Sequence, residues 1–117
     1  MATATNLTDS LRTKTLKYKH TAAVAINDII LLGGRVLIAI AAVLANAEGV
    51  YIHAAERVEM PKEAPLVITA GDTVYWDNTN AVITKTATAN TKCGIAVEDA
   101  ASADTVVVIE LDNSVNY

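Results

Sequence analysis

The chain has 117 residues, a length that suits one domain with a single core. Its net charge of −4 argues against a general nucleic-acid-binding protein, because such proteins carry a basic face. Hydrophobic residues make up 52% of the sequence, yet there is no phenylalanine and only one tryptophan. Alanine, valine and isoleucine favour closely packed strands over a pocket lined by aromatic rings.

The start of the chain is polar and then basic. Residues 1–12 are predicted to form a flexible arm, and residues 13–117 a single β-rich domain. A basic cluster spans the boundary and consists of Arg12, Lys14, Lys17 and Lys19. It is either a solvated strand edge, whose lysines discourage pairing with other chains, or a segment that docks on an acidic partner surface. These four residues are the candidate partner contacts.

Alternating and β-branched runs predict short strands separated by turns. The predicted strands are residues 15–20, 21–26, 29–32, 36–43, 50–54, 56–60, 73–76, 81–88, 92–97 and 105–111. The structural turn residues are Gly33, Gly34, Gly71, Asp72, Asp77 and Asn78. Residues 98–104 form a loop or one helical turn. The fold class is therefore mainly β, a small antiparallel barrel-like or sandwich-like domain with at most one or two short helices.

Several segments argue against a membrane or secreted protein. The longest uninterrupted apolar run, residues 36–45, has about half the length that a membrane-spanning helix needs. The start has no signal-peptide pattern. The single cysteine, Cys93, cannot form an intrachain disulfide, which fits a reducing cytoplasm, and its strand-like surroundings predict a buried, inert thiol. We expect a soluble protein with no membrane partner.

No catalytic, cofactor-binding or metal-binding pattern is recognisable. His20 and His53 lie in strand-like alternation, away from any cluster with metal-ligand spacing. Asp72 and Asp77 flank one predicted strand on opposite faces, roughly 17 Å apart by the rise per residue, too far for a glycosidase pair. Both aspartates fit turn positions better. We therefore predict no enzyme activity and no cofactor.

Two adjacent aromatic residues are the candidate interface anchors. Tyr75 and Trp76 point to opposite faces of a regular strand, so one enters the core and the other is available to a partner. The alternative is that both pack inside a sheet covered on two sides. An exposed Trp76 beside Asp77 and Asn78 would suit a small sugar-binding or host-surface-binding module.

A series of short motifs runs through the second half of the chain. The motifs are Ala70-Gly71-Asp72-Thr73-Val74-Tyr75-Trp76-Asp77, Val82-Ile83-Thr84-Lys85-Thr86-Ala87-Thr88-Ala89-Asn90, Gly94-Ile95-Ala96-Val97, Ala100-Ala101 and Asp104-Thr105-Val106-Val107-Val108. Over residues 63–111 this series resembles the phage and prophage capsid cement (decoration) proteins, which are similar in role to the lambda head decoration protein.

The resemblance implies a specific fold, partner and location. It implies a β-rich, β-tulip-like fold, a homotrimer, and attachment to the major capsid protein at local three-fold positions on the capsid exterior of a tailed bacteriophage. The protein would be made in the cytoplasm of the bacterial host and would stabilise the mature shell. The alternative function is a sugar- or host-surface-binding module displayed on the phage head.

Overall fold

The computed structural model describes residues 3–6 and 14–112, which form nine strands and no helix. The strands are β1 (Thr5–Asn6), β2 (Lys14–Lys19), β3 (Ile29–Leu32), β4 (Arg35–Ala39), β5 (Glu48–Pro61), β6 (Thr73–Asp77), β7 (Val82–Thr84), β8 (Thr91–Ala96) and β9 (Val106–Asp112). All strand pairs are antiparallel, and the sheet curls into an open half-barrel. The prediction of a mainly β fold is confirmed. Within the described ranges, no helix has the length and apolar character needed to cross a membrane.

Several predicted strand boundaries are wrong. Residues 21–26 form a loop in which only Val24 makes a bridge, to Val43. The strand predicted over residues 36–43 ends at Ala39, and the one predicted over residues 81–88 is limited to Val82–Thr84. The apolar pattern of residues 21–26 and 40–43 continues outside the strands because Val24 and Val43 contribute side chains to the smaller of the two apolar cores. Residues 85–88 are exposed and contribute to neither core.

The longest strand, β5, organises the sheet. It joins the two strands predicted over residues 50–54 and 56–60 into one of 14 residues. In its first half Ile52 pairs with both β2 and β4, and in its second half Glu59 pairs with both β1 and β9. A register shift between Ala55 and Val58 separates the halves, as a β-bulge does where a strand bends.

Two apolar cores lie on opposite faces of the first strands. The main core fills the half-barrel and includes Ile38, Ile52 and Trp76. The smaller outer core consists of Val24, Ile30, Leu37, Ala39 and Tyr51, with Leu16, Tyr18, Leu32 and Val43 at its margin. Successive residues of a strand point to opposite faces, so β3 and residues 36–39 of β4 are apolar because both of their faces are covered.

One turn framework occurs twice in the chain. In turn unit one (residues 24–47), Val24 and Val43 form an isolated antiparallel bridge. In turn unit two (residues 68–104), Ile68 and Ala100 form the corresponding bridge. Unit two is longer because β7 is inserted in its hairpin. The repeat was not predicted from the sequence.

Most hydrogen bonds of the two turn units correspond, although unit two has two additional ones, from the Ala70 N–H to Asp99 Oδ1 and from the Ala101 N–H to Asp104 Oδ2. Asp28 Oδ2 accepts from the Ala25 N–H at 2.8 Å, and Asp72 Oδ2 accepts from the Thr69 N–H at 2.9 Å. Three backbone hydrogen bonds of unit one also have a counterpart in unit two. The Asn27 N–H donates to Ala39 O, as the Gly71 N–H does to Ala96 O. The Ala39 N–H donates to Asp28 O and the Ala47 N–H to Leu44 O, as the Ala96 N–H does to Asp72 O and the Asp104 N–H to Ala101 O. The units therefore share one backbone framework and differ in their side chains.

The first described residues pack against the sheet. Thr3 bridges Asp28, and Ala4 is 2% exposed within the main core. Both residues fall within the segment predicted to be a flexible arm. Arg12 lies outside the described residues.

Candidate functional site

Strand β2 presents an exposed row of lysines. Lys14, Lys17 and Lys19 are exposed, whereas Leu16 and Tyr18 alternate with them and lie against the outer core. The Tyr18 and Tyr51 rings meet edge to face, with centroids 6.1 Å apart, which holds the strand against the sheet. Of the predicted contact residues, these three lysines are therefore brought together on one strand.

The lysine row lies on an edge strand of the sheet. β2 pairs with β5 from Lys14 opposite Ala54 to Lys19 opposite Glu48, and no other described strand pairs with it. A register shift between Lys14 and Thr15 interrupts the ladder at its first residue. Bulges and lysines are both features that discourage a free edge from pairing with other chains. The geometry is therefore compatible with edge protection as well as with docking.

The two candidate aromatic residues take different environments. Trp76 is 2% exposed in the main core, and its indole Nε1–H donates to Asn78 Oδ1 at 3.0 Å. Tyr75 lies on the opposite face and is half-buried. The interpretation that an exposed Trp76 stacks on a sugar is wrong, because a ring buried among core side chains presents no free face. Of the two rings, Tyr75 alone keeps appreciable exposed surface.

The predicted turn residues close hairpins and loops. Gly33 connects β3 to β4 with φ 58°, where a side chain would be strained, and Gly71 has φ 98°. The hydrogen bond from the Thr69 N–H, aided by the Lys85 ammonium 3.4 Å away, lowers the pKa of Asp72. The Asn80 side-chain amide and backbone N–H, with a further bond from Thr79, lower the pKa of Asp77.

One cleft among the described residues offers few groups that could take part in chemistry. Its volume is about 430 Å³, and it lies between β3 and the turn after β6, lined by His20, Ile29, Ile30, Leu31, Trp76, Asn78 and Ala81. His20 is its one ionisable side chain. Across the parts of the chain that the structure describes, no three His, Cys, Asp or Glu side chains are grouped to hold a metal. Burial raises the pKa of the Cys93 thiol to about 12, so it is no nucleophile near neutral pH.

A comparison with protein families identifies the family to which this β-rich chain belongs. The family of phage cement proteins matches residues 10–111. The chain belongs to this family. Phage cement proteins are non-enzymatic structural proteins of the capsid, which places this cement protein in the virion and makes capsid proteins its partners. No curated protein and no solved structure matches the chain.

Two exposed surfaces of the described chain were not predicted from the sequence. Turn unit one carries exposed Ile26, Ile40 and Leu44, and turn unit two carries exposed Glu98 and Asp99. The signal that could have found them is the repeat itself. Both units place Asp directly before an apolar strand, after Asn in unit one and after Gly in unit two.

Proposed function

We propose that this cement protein binds the outer surface of a tailed-phage capsid as a trimer at local three-fold positions and stabilises the mature shell. The observation that carries the proposal is the family match over residues 10–111. Its partner is the major capsid protein, and it is made in the cytoplasm of the bacterial host before it attaches. The β2 lysine row supplies the attachment surface.

The stabilising mechanism is mass action. A ligand that binds the assembled shell and not the dissociated subunits lowers the free energy of the shell by its binding free energy. At a free concentration 100 times the Kd, this amounts to about 2.7 kcal/mol per site. A trimer engages several capsid subunits at once, so its avidity exceeds the affinity of one subunit without any new kind of contact.

The lysine row suits an acidic shell surface. Lys14, Lys17 and Lys19 stand on an exposed edge of a protein whose net charge is −4, so the row is a local region of opposite sign. Arg12, close by in sequence, adds a further positive charge. Exposed charges are screened beyond about 10 Å at 0.1 M salt, so attachment through this row weakens as salt rises. If the lysines serve only to protect the edge, their removal increases aggregation and leaves shell affinity unchanged.

Co-sedimentation with shells that lack the protein tests the proposal. The test variant is Lys17→Gln with Lys19→Gln, which removes two of the three charges of the row and leaves the core residues untouched. Truncation of the N-terminus is a poorer test, because Ala4 belongs to the main core. We expect the variant to lose most of its affinity at low salt and to approach the wild type at high salt, where screening has already removed the attraction.

A charge-matched control separates location from net charge. The control, Lys85→Gln with Lys92→Gln, removes the same two charges from the β7–β8 region, away from β2. We expect it to bind shells as the wild type does. Equal losses in both variants would show that net charge matters and the β2 row does not. Absence of wild-type binding at every salt concentration would defeat the attachment claim itself.

A further inference from the structure

The outer surface of turn unit one is unusually apolar. Leu44 is 80% exposed, Ile26 59% and Ile40 44%. The residues that flank the Val24–Val43 bridge are exposed alanines apart from Leu44. We call this surface, residues 21–27 with residues 40–46, the apolar face. Its exposed residues include no ionisable side chain, and contiguous apolar patches on soluble proteins mark interaction sites.

Turn unit two shows that the fold does not require this composition. At the positions equivalent to Ala41 and Ala42, unit two has the exposed carboxylates of Glu98 and Asp99. At the position of Leu44 it has alanine. The backbone–backbone hydrogen bonds of the two units nevertheless correspond, and unit two adds bonds to the carboxylates of Asp99 and Asp104. The apolar side chains of unit one are therefore not needed for the shared backbone bonds, and their exposure points to a partner.

The apolar face is pre-formed on a packed support. Beneath it Val24 is 5% exposed and belongs to the outer core, together with fully buried Tyr51. Val43 packs at the margin of the same core, and the Val24–Val43 bridge ties the two loops together. A surface fixed in this way loses little conformational entropy when it is covered.

We propose that the apolar face is the contact between copies of this chain, an inference that rests on the trimer in the proposed function. Lasting contacts between copies resemble a protein core in composition, whereas surfaces that recognise a partner across solvent are more polar. The face has the first composition, and the β2 lysine row has the second. The apolar face thus serves self-assembly, and the β2 lysine row serves attachment to the shell.

Electrostatics also favours a second copy of this chain as the partner of the apolar face. Each copy carries a net charge of −4, and a rotation axis brings equivalent surfaces of the copies close together. Like charges facing each other are unfavourable. Glu98 of turn unit two pairs with Arg57, but Asp99 and Asp104 are exposed carboxylates without a basic partner among the ion pairs of the described residues. Turn unit two is therefore poorly suited to a position near the axis, whereas the uncharged face of unit one suits it.

The test transfers the surface of unit two onto unit one. The variant combines Ala41→Glu, Ala42→Asp and Leu44→Ala, which are residues that the same backbone framework carries in unit two. Light scattering over a range of protein concentrations gives the mass in solution. We expect the wild type to reach a multiple of 12.3 kDa and the variant to stay at 12.3 kDa. Circular dichroism and Trp76 emission check that the fold is retained.

A matched control changes an exposed apolar residue elsewhere. Val67, 55% exposed and next to the first bridge residue of unit two, is replaced by Ser, and this variant should keep the wild-type mass. A wild type that stays monomeric at every concentration would overturn the inference, as would a triple variant that keeps the wild-type mass.

Shell binding is measured separately, so the two proposals can fail independently. A wild type that sediments with shells while the triple variant keeps its mass would refute only the role of the apolar face. A wild type that assembles through this face without sedimenting with shells would refute only the proposed attachment.

Discussion

Gly49, at the start of β5, has no room for a side chain. A Cβ built there would lie 2.6 Å from Val43 Cγ2 and 3.2 Å from both Cε1 and Oη of Tyr51. We expect Gly49→Ala to destabilise the protein, because two side chains of the outer core must move. Overpacking of this kind costs about 1–3 kcal/mol. At about 4 °C per kcal/mol for a chain of this size, the Tm falls by roughly 4–12 °C.

A second substitution identifies the cause of the loss. Val43→Ala removes the nearer obstacle and by itself costs about 1 kcal/mol, since each buried methyl group contributes roughly 0.8 kcal/mol and Val43 is only half-buried. In the double variant the new methyl group of residue 49 occupies the space that Val43 vacates. The double variant should then be about as stable as Val43→Ala alone, so the coupling energy equals the cost of Gly49→Ala, about 1–3 kcal/mol.

Urea unfolding followed by the fluorescence of Trp76 measures all of these variants. Protein concentration is held constant, because assembly shifts apparent stability. Gly33→Ala is the control: its Cβ would meet nothing within 4 Å, so its cost arises from φ 58° and should be additive with Val43→Ala. Strict additivity of Gly49→Ala and Val43→Ala would refute the steric account.

Three further predictions concern single side chains. The hydrogen bond from the Thr69 N–H lowers the pKa of Asp72 in the folded state. The contribution of Asp72 to stability is therefore present above the unfolded pKa and is lost as pH falls through the folded pKa. Asp72→Asn should be less stable than the wild type at pH 7 and equally stable in acid, and a difference in stability that persists at low pH would contradict this. Trp76 should emit at short wavelength and resist acrylamide quenching, and emission typical of a solvated indole would place it outside the core. Cys93, whose pKa burial raises to about 12, should react with a thiol reagent only when the chain unfolds, and fast labelling of the native protein would show an open core.

The sequence predicts the fold class because the apolar residues alternate strongly and turn residues separate them. Strand lengths were less predictable, since alternation does not reveal whether a run pairs with a neighbour. Residues 21–26 alternate but make one bridge, at Val24, because this loop covers the outer core. The sequence pattern predicts a break at the bulged centre of β5, because the polar residues Glu56 and Arg57 interrupt the alternation. In the structure both are exposed residues of one continuous strand.

The candidate surfaces were only partly predictable. The lysines of β2 are visible because charge clustering is local in sequence. The burial of Trp76 instead of Tyr75 depends on which face of β6 meets the core, and alternation alone leaves that choice open. The apolar face joins two loops that are distant in sequence, and only the Val24–Val43 bridge brings them together.

The most direct test of the central claim is the heat stability of capsids that lack the cement protein, measured with increasing amounts of purified protein added. Stabilisation by mass action predicts that the disruption temperature rises with free protein concentration and, above the Kd, continues to rise with the logarithm of that concentration. It also predicts a smaller rise for the variant with Lys17→Gln and Lys19→Gln at the same concentration. Shells that bind the wild-type protein to saturation and still break at the unmodified temperature would contradict the account.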